Sequence, residues 1–492
     1  WLNLRTHEIP RVCVVEKQMW TPVDGTLTPS AKLARPTLSR KYDEALASRR
    51  KRAATADILE LLPVDATDSD TLVDLGVSSL EAFQLAERSG LSIEFLLAAS
   101  TTVADLRSAA LAGTGIDVQT LEVQIKEDLK LSPQAVLTSF GDEAADALDD
   151  NGDVFFLTGA TGFVGSFLTK QLLGSHPGSR CFVLVRGDDS RARLEASLHE
   201  AGCADDMCAR VNVVQGDLSR EQFGLPDTRF VEIARVVRAV FHVGAQVDWL
   251  RPYADLRAAN VVGTATAISL AITAKAPLHH ISSGAVCGVA AEPADLVQES
   301  GYTASKAVAE SLVARAVEEK GLVATIYRVG TVTASAAASC VVNREDYASR
   351  YIESCFELSM AVDSPALFET IPVDTCAKLI ATIAASEKEQ RPLILPIANP
   401  ASWSHADLAR ELHAVDARIR AVDAATFADA VSRSNCRLRP LSLALHDSSW
   451  FAEDQIDPCC ATAVALGVST LALPITAEYF SRWVSALGIT VL

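Results

Sequence analysis

The chain has 492 residues, 49% of them apolar, and a formal net charge of −18. That length exceeds one ordinary domain, and the apolar share supports large cores. The acidic balance argues against nucleic acid as a partner. The 11 cysteines show no CxxC pair and no Cys/His cluster at metal-ligand spacing, which reads as reduced thiols in a cytosolic protein with no metal site. The longest uncharged run, Pro458–Ala477, contains Gly467 and Pro474, so stable membrane insertion is not expected. The first residue is Trp rather than Met, which reads as a fragment of a longer protein.

Charge is unevenly spread. Residues 1–52 hold eleven Lys/Arg against five Asp/Glu, a net of +6, whereas residues 53–112 hold two against ten, a net of −8. Neighbouring segments of opposite sign suggest modules that dock transiently. Within residues 1–52, Thr26–Pro36 is a turn-rich loop containing Lys32, followed by a basic helix through about Arg52. This resembles the C-terminal tail of adenylate-forming enzymes, whose loop reads LTPxxKLxR. The resemblance implies that Lys32 contacts a substrate carboxylate and the developing acyl-adenylate charge. The Ser/Thr/Gly-rich phosphate loop of that family is absent, so ATP use is expected only with an adenylation domain from missing upstream sequence.

Residues 53–113 read as a small helical bundle with apolar segments at Ala56–Leu62, Leu72–Leu75, Ser92–Leu97 and Val103–Leu111. Ser78-Ser79-Leu80-Glu81 fits a capping box. Ser79 then falls at the first helical position, where unpaired N–H groups and the helix dipole favour a phosphate. Alone, this is a capped surface helix. The size and pattern resemble an acyl or peptidyl carrier domain, whose attachment motif LGGDSL stands here as Leu75-Gly76-Val77-Ser78-Ser79-Leu80. Two positions depart, although Ser78 can replace the aspartate as an N-cap. The resemblance implies 4'-phosphopantetheine on Ser79, attached by a phosphopantetheinyl transferase. Residues 114–149 are polar and acidic and read as a linker.

From residue 150 the pattern changes to strands alternating with helices. An apolar run, Val154–Leu157, leads into Thr158-Gly159-Ala160-Thr161-Gly162-Phe163-Val164-Gly165. The spacing predicts a tight turn at Gly159, approach of a pyrophosphate at Gly162 and close helix packing at Gly165, as in dinucleotide-binding folds. The second strand, Cys181–Val185, ends in Arg186, a charge suited to the 2'-phosphate of NADP. Arg191 and Arg193 are expected to reinforce it, against Asp188 and Asp189. A third strand leads into Asp217, expected near the adenine. A fourth, Ala239–His242, leads into Gly244 and Ala245 beside the cofactor, with His242 either packed or functional.

Leu278–Val286 reads as a strand ending in Ser282 and Ser283, followed by Tyr302 and Lys306 at i, i+4 on a helix. A free tyrosine titrates near ~10, and a neighbouring ammonium is expected to lower that value. Ser283 is then expected to hold a carbonyl oxygen while Tyr302 supplies its proton. Tyr302 and Lys306 also face the cofactor in this reading. These motifs, with Asn260–Thr264, Tyr327-Arg328 and Pro372–Asp374, resemble the extended short-chain dehydrogenase/reductase family over roughly residues 150–400.

The expected architecture is multidomain: a small α-helical carrier bundle, then an α/β Rossmann unit with a parallel sheet over residues 150–492. A helical substrate subdomain is expected from residues 401–492. The order of adenylation tail, carrier and reductase resembles carboxylic acid reductases and the terminal thioester reductases of nonribosomal peptide synthetase-like enzymes. It implies that a carboxylic acid, loaded as an acyl thioester, is reduced by NADPH to an aldehyde, with further reduction to an alcohol left open. A nucleotide-sugar epimerase or dehydratase, and a non-catalytic carrier scaffold, remain as alternatives.

Overall fold

The computed structural model describes residues 101–106, 118–134, 152–187, 189–249, 251–368, 370–386, 393–399, 402–434, 436–439 and 476–489, together with Leu96. Lys32, Ser79, Asp188 and the Pro458–Ala477 run up to residue 475 lie outside them. The chain divides into two compact units, residues 1–118 and 119–492. In the first, Leu96, Val103 and Leu106 are buried. The Thr102 hydroxyl accepts from the Asp105 amide at 3.2 Å while the Asp105 carboxylate accepts from the Thr102 amide at 3.0 Å, the reciprocal pattern of a capped helix start.

The second unit is built on seven parallel strands. In chain order the main elements are α1 (Val118–Asp128), β1 (Val154–Thr158), α2 (Phe163–Ser175), β2 (Arg180–Val185), α3 (Ser190–Glu200), β3 (Val211–Gln215), α4 (Asp227–Val236) and β4 (Ala239–His242). There follow α5 (Tyr253–Arg257), a π turn (Ala258–Val262), α6 (Gly263–Ala274), β5 (Leu278–Ser283), α7 (Gly301–Lys320), β6 (Ala324–Val329), α8 (Tyr347–Leu358), α9 (Val373–Ala385) and β7 (Ile394–Ile397). The last helices are α10 (His405–Val415), α11 (Ala424–Arg433) and α12 (Ala477–Ala486). The strand order is β7-β6-β5-β4-β1-β2-β3, so the sheet reverses direction of growth between β1 and β4.

Strand side chains alternate between faces, and β1 divides its run accordingly. Phe155 and Leu157 join one core with Phe167, Leu172, Leu194 and Ile380 from α2, α3 and α9. Phe156 points into the opposite core with Phe230, Ile268, Val308 and Leu312 from α4, α6 and α7. Burying each such Phe or Leu contributes about 1.5–3 kcal/mol. The run Tyr253–Ala274 is apolar and long enough for a membrane span by composition, but Val261, Ile268, Leu270 and Ala271 pack into this second core.

Two stretches differ from expectation. Part of the supposed linker forms α1, which packs on the sheet unit through buried Ile125. Asp128 there is fully buried, and its carboxylate accepts from Arg257 at 2.6–2.9 Å and from the Tyr253 hydroxyl at 2.8 Å. Arg315 donates to the carbonyls of Leu129 and Leu131 just beyond. The helical subdomain also begins earlier than residue 401. Its core combines Tyr351 and Ile352 of α8 and Phe368 with Leu408, Phe427, Phe480 and Trp483. It is therefore assembled from an excursion before β7 as well as from the C-terminal helices. Aromatic side chains from four segments fill one space, a pairing no local pattern encodes.

Candidate active site

The sheet switches strand order between β1 and β4, and in such folds ligands usually sit beyond the carboxyl ends of the strands at that point. Gly159 follows β1 with φ +76°, and a Cβ there would stand 2.6 Å from the Gly244 amide nitrogen after β4. Only glycine meets both demands. Gly165 sits so close to the turn that a Cβ would meet the Gly159 carbonyl at 2.1 Å. Gly162, by contrast, is exposed and leads α2 with no side-chain cap. The first-turn N–H groups of α2 thus lack a side-chain partner, the arrangement that accepts phosphate oxygens. The predicted tight turn at Gly159 and close packing at Gly165 are both visible in this turn.

The surrounding predicted residues divide by what their side chains do. Thr161 is exposed, and its carbonyl accepts from the Ser197 hydroxyl of α3 at 3.2 Å. Phe163 and Val164 are half-buried and pack on the core behind the turn. Thr158 is turned inward: its hydroxyl accepts from the Gly244 amide at 2.9 Å and donates to His242 Nδ1 at 2.9 Å. His242 Nε2 in turn donates to Thr264 at 3.0 Å, and Thr264 donates to the Asn260 carbonyl at 2.6 Å. This chain of donors fixes the neutral tautomer. Burial first, then the nearby Lys306 charge, holds His242 down to about 3. His242 is a packed, neutral strut.

Arg186 is exposed at the end of β2, and no side-chain hydrogen bond or ion pair engages it among the described residues. Its carbonyl accepts from the Arg193 guanidinium. Asp217, after β3, accepts from the amide and hydroxyl of Ser219 at 2.9 and 2.7 Å. Those bonds, the amide first, keep its carboxyl below the usual range, with a smaller contribution from Arg186. Arg191 departs from expectation. It binds Glu195 at 2.6 Å and the Val211 carbonyl at 2.8 Å, because its position on α3 turns it toward β3. Gly244 and Ala245 are half-buried at the β4 end.

The other group gathers where β5 meets α7. Ser300 caps α7 by accepting from the Thr303 amide at 3.1 Å. Gly301 follows, packed so tightly that a Cβ would meet the Arg251 carbonyl at 2.3 Å. This close approach fixes the start of the helix and hence Tyr302, which is 6% exposed. The Ser283 hydroxyl, at the end of β5, is hydrogen-bonded to the Tyr302 hydroxyl and accepts from the Ala285 amide at 3.2 Å. Lys306, 3% exposed, donates to the Ile281 carbonyl at 2.8 Å, stitching α7 to β5. Ser283, Tyr302 and Lys306 are thus brought together as predicted.

The electrostatics correct one expectation. Burial pushes the Tyr302 phenol above its ordinary value, and the bond with Ser283 only partly opposes this. The phenol is therefore held in its protonated form, which suits a proton donor. The expected lowering by a neighbouring ammonium is not among the influences on the phenol, where desolvation dominates. Lys306 is itself drawn down to about 8 by burial, with Glu310 working in the other direction.

Two contributors were not assigned from sequence. Asn260, in the π turn, accepts from the Gln246 amide at 2.7 Å and donates to the Gln246 carbonyl and the Ser305 hydroxyl at 3.0 Å each. It ties the β4 loop to α7, and π turns of this kind often mark functional sites. Trp249 lies with its ring 5.0 Å from that of Tyr302. Asn260 opens the Asn260–Thr264 stretch noted in the sequence, but that stretch does not say what its side chain meets; Trp249 carries no local signal beyond residue type.

Residues 157–380 match an NAD-binding family described as male sterility protein. The chain is 27% identical over 412 residues to the L-2-aminoadipate reductase of Saccharomyces cerevisiae, covering 73% of this chain and 29% of that protein. Among solved structures it is similar to the terminal R domain from the myxalamid PKS-NRPS biosynthetic pathway, at 25% identity and a TM-score of 0.63, covering 75% of this chain and 98% of that one. It also shares the fold of a thiolation-reductase di-domain from an archaeal non-ribosomal peptide synthetase, at 19% identity and a TM-score of 0.64, covering 89% and 97%. The chain spans less than a third of the length of the curated relatives first matched. The second unit thus shares the fold of these R domains, with the NAD-binding match lying within it.

Proposed function

We propose that this chain reduces an acyl thioester, carried on 4'-phosphopantetheine at Ser79, to an aldehyde at the expense of NADPH. The observation that carries the reading is the meeting of Ser283, Tyr302 and Lys306 at the end of β5, beside the glycine turn of an NAD(P)-binding fold. NADPH supplies the hydride when bound, and Arg186, exposed and without an ion pair among the described residues, supports the phosphorylated cofactor over NADH. The free N–H groups of α2 are the groups that would hold its pyrophosphate.

Ser283 can donate to the thioester carbonyl oxygen, orienting it and drawing charge onto it. Tyr302, kept protonated by burial, delivers its proton to that oxygen as the carbonyl carbon is reduced. The resulting hemithioacetal hydroxyl gives its proton back as the carbon–sulfur bond breaks, the departing thiolate takes up a proton, and the aldehyde is freed. The net change consumes one hydride and one proton per thioester. Lys306 holds positive charge beside the phenol and fixes the strand against the helix.

The carrier role of residues 53–113 draws support from the di-domain likeness in fold, which covers more of the chain than residues 119–492 make up. A tether serves such chemistry by raising the local substrate concentration to the ~mM range. An adenylation domain, to which residues 1–52 with Lys32 belong as a tail, would charge the arm after a phosphopantetheinyl transferase attaches it.

The test is direct. The chain is phosphopantetheinylated, charged with an acyl group, and mixed with NADPH or NADH. Expected results are NADPH oxidation with aldehyde release, slower turnover with NADH, and loss of both on Ser79→Ala. A charged wild-type chain that oxidises neither cofactor overturns the proposal, as does turnover of free nucleotide sugars indifferent to Ser79→Ala.

A further inference from the structure

One buried ion pair is not used by this chemistry. Tyr302, Lys306 and Glu310 stand at i, i+4 and i+8 on α7, a spacing that lines them along one helix face. Glu310 is 6% exposed. Its carboxylate accepts from Arg328 of β6 at 3.1 and 3.2 Å from Nε and 2.8 Å from Nη2. A fork of this kind fixes the carboxylate's orientation as well as its charge. We propose that Glu310 is a positioning residue for Lys306: oriented by Arg328, it is the counter-charge that keeps the lysine a cation inside the fold.

The other groups around Lys306 cannot take that part. His242 of β4 and His280 of β5 stack with centroids 5.3 Å apart. Both are fully buried, and burial followed by the charge of Lys306 itself keeps both neutral. Among the described residues neither nitrogen of His280 has a hydrogen-bond partner, which adds to the cost of charging it. Tyr302 is held as a neutral phenol. Cys287, in the turn after β5, interacts with Arg328. Arg328 carries the same sign as Lys306 and opposes it. That leaves the Glu310 carboxylate to offset the desolvation of the ammonium, and its influence on Lys306 has that sign.

Arg328 has two effects in this arrangement. It aims the carboxylate, and it moderates the field that Lys306 feels. Loss of Glu310 and loss of Arg328 therefore push the lysine in opposite directions. A merely structural ion pair would not do this, since breaking it from either side has the same consequence.

The inference rests on the functional reading only for the importance of a charged Lys306. Its test uses the full chain without acyl group or cofactor. Lysine carrying a 13C label at Cε is incorporated, the Lys306 resonance is assigned with Lys306→Met, and its titration is followed by NMR. In Glu310→Gln the Lys306 midpoint is expected to fall by about one pH unit or more, the scale of a close charge partner. Glu310→Asp should hold it near the wild-type value, and Arg328→Gln should raise it. The alkaline limb of NADPH oxidation should move down with the midpoint in Glu310→Gln, through kcat rather than KM.

An unmoved midpoint in Glu310→Gln, or a fall in both Glu310→Gln and Arg328→Gln, overturns the assignment. Should Glu310→Gln fail to fold, Arg328→Gln decides alone: a raised midpoint supports the assignment, and a lowered or unmoved one overturns it. A wild-type chain that shows the titration shifts yet never oxidises NADPH refutes the functional reading and leaves this one standing.

Discussion

Two buried carboxylate–arginine pairs in the second unit look alike and do different things. Asp128 meets Arg257 and the Tyr253 hydroxyl, whereas Glu310 meets Arg328 one helical turn beyond Lys306. At Asp128 the remaining acceptor capacity is filled by neutral donors, the Tyr253 hydroxyl at 2.8 Å and the Gln124 side-chain amide at 3.3 Å. Burial, then the adjacent carboxylate charge, pushes the Tyr253 phenol further up, so it stays a neutral donor. That clasp is electrically closed and fastens α1 to the fold. At Glu310 the nearby group is an ammonium that can gain or lose its proton in an accessible range. The same chemistry is a fastener where its neighbour cannot titrate and an electrostatic control where its neighbour can.

The comparison is broken most severely at the catalytic end of α7. Tyr302→Phe removes the proton donor while keeping the ring against Trp249, so NADPH oxidation by the acyl-charged chain should fall about 10²–10⁴-fold. Thermal unfolding should be little changed. An unaltered rate would mean that another group donates the proton.

At the clasp the effects should be reversed. Asp128→Asn leaves Arg257 with a neutral partner and should cost about 3 kcal/mol of stability, at the lower end for a buried pair with one side removed because Arg257 is about a third exposed. Denaturant unfolding measures this directly. The rate per folded molecule should stay close to wild type, and a loss of rate without loss of stability would show that the clasp reaches the active site.

The mildest perturbation is pH. Lys306 loses its proton as pH rises through about 8, so the reduction rate should decline over that range. The stability contribution of the same group runs the other way. Its folded value lies below the ordinary 10.5, so the contribution is present above that ordinary value and is lost as pH falls toward about 8. Rate and stability measured from pH 7 to 10.5 should therefore diverge; parallel curves would remove Lys306 as the titrating group.

Much of the site is legible in the order of residues. Gly159, Gly162 and Gly165 act through the backbone within one turn, and Tyr302 and Lys306 share a face because a helix brings i and i+4 together. Such features need only local geometry. Arg191 was misread because nearness in sequence to Arg186 does not say which way α3 faces. The first strand was legible because Val154–Leu157 is a continuous apolar run, while α1 was not. Among its described side chains only Ile125 and Asp128 are deeply buried and Val123 is 60% exposed, so it carries too little periodicity to separate from a linker.

By itself, then, the sequence determined the Rossmann turn, the strand–helix alternation and the serine, tyrosine and lysine of the site. These follow from backbone sterics and from repeats of two and four residues. Tertiary structure alone decided the rest: that Asp128 meets Arg257 across 129 residues, that Thr158 spends its hydroxyl on His242, that burial keeps the Tyr302 phenol protonated, and that Arg328 stands behind Glu310. Each of these depends on which surfaces the fold brings together and how completely it removes them from water. No short stretch of sequence carries that information.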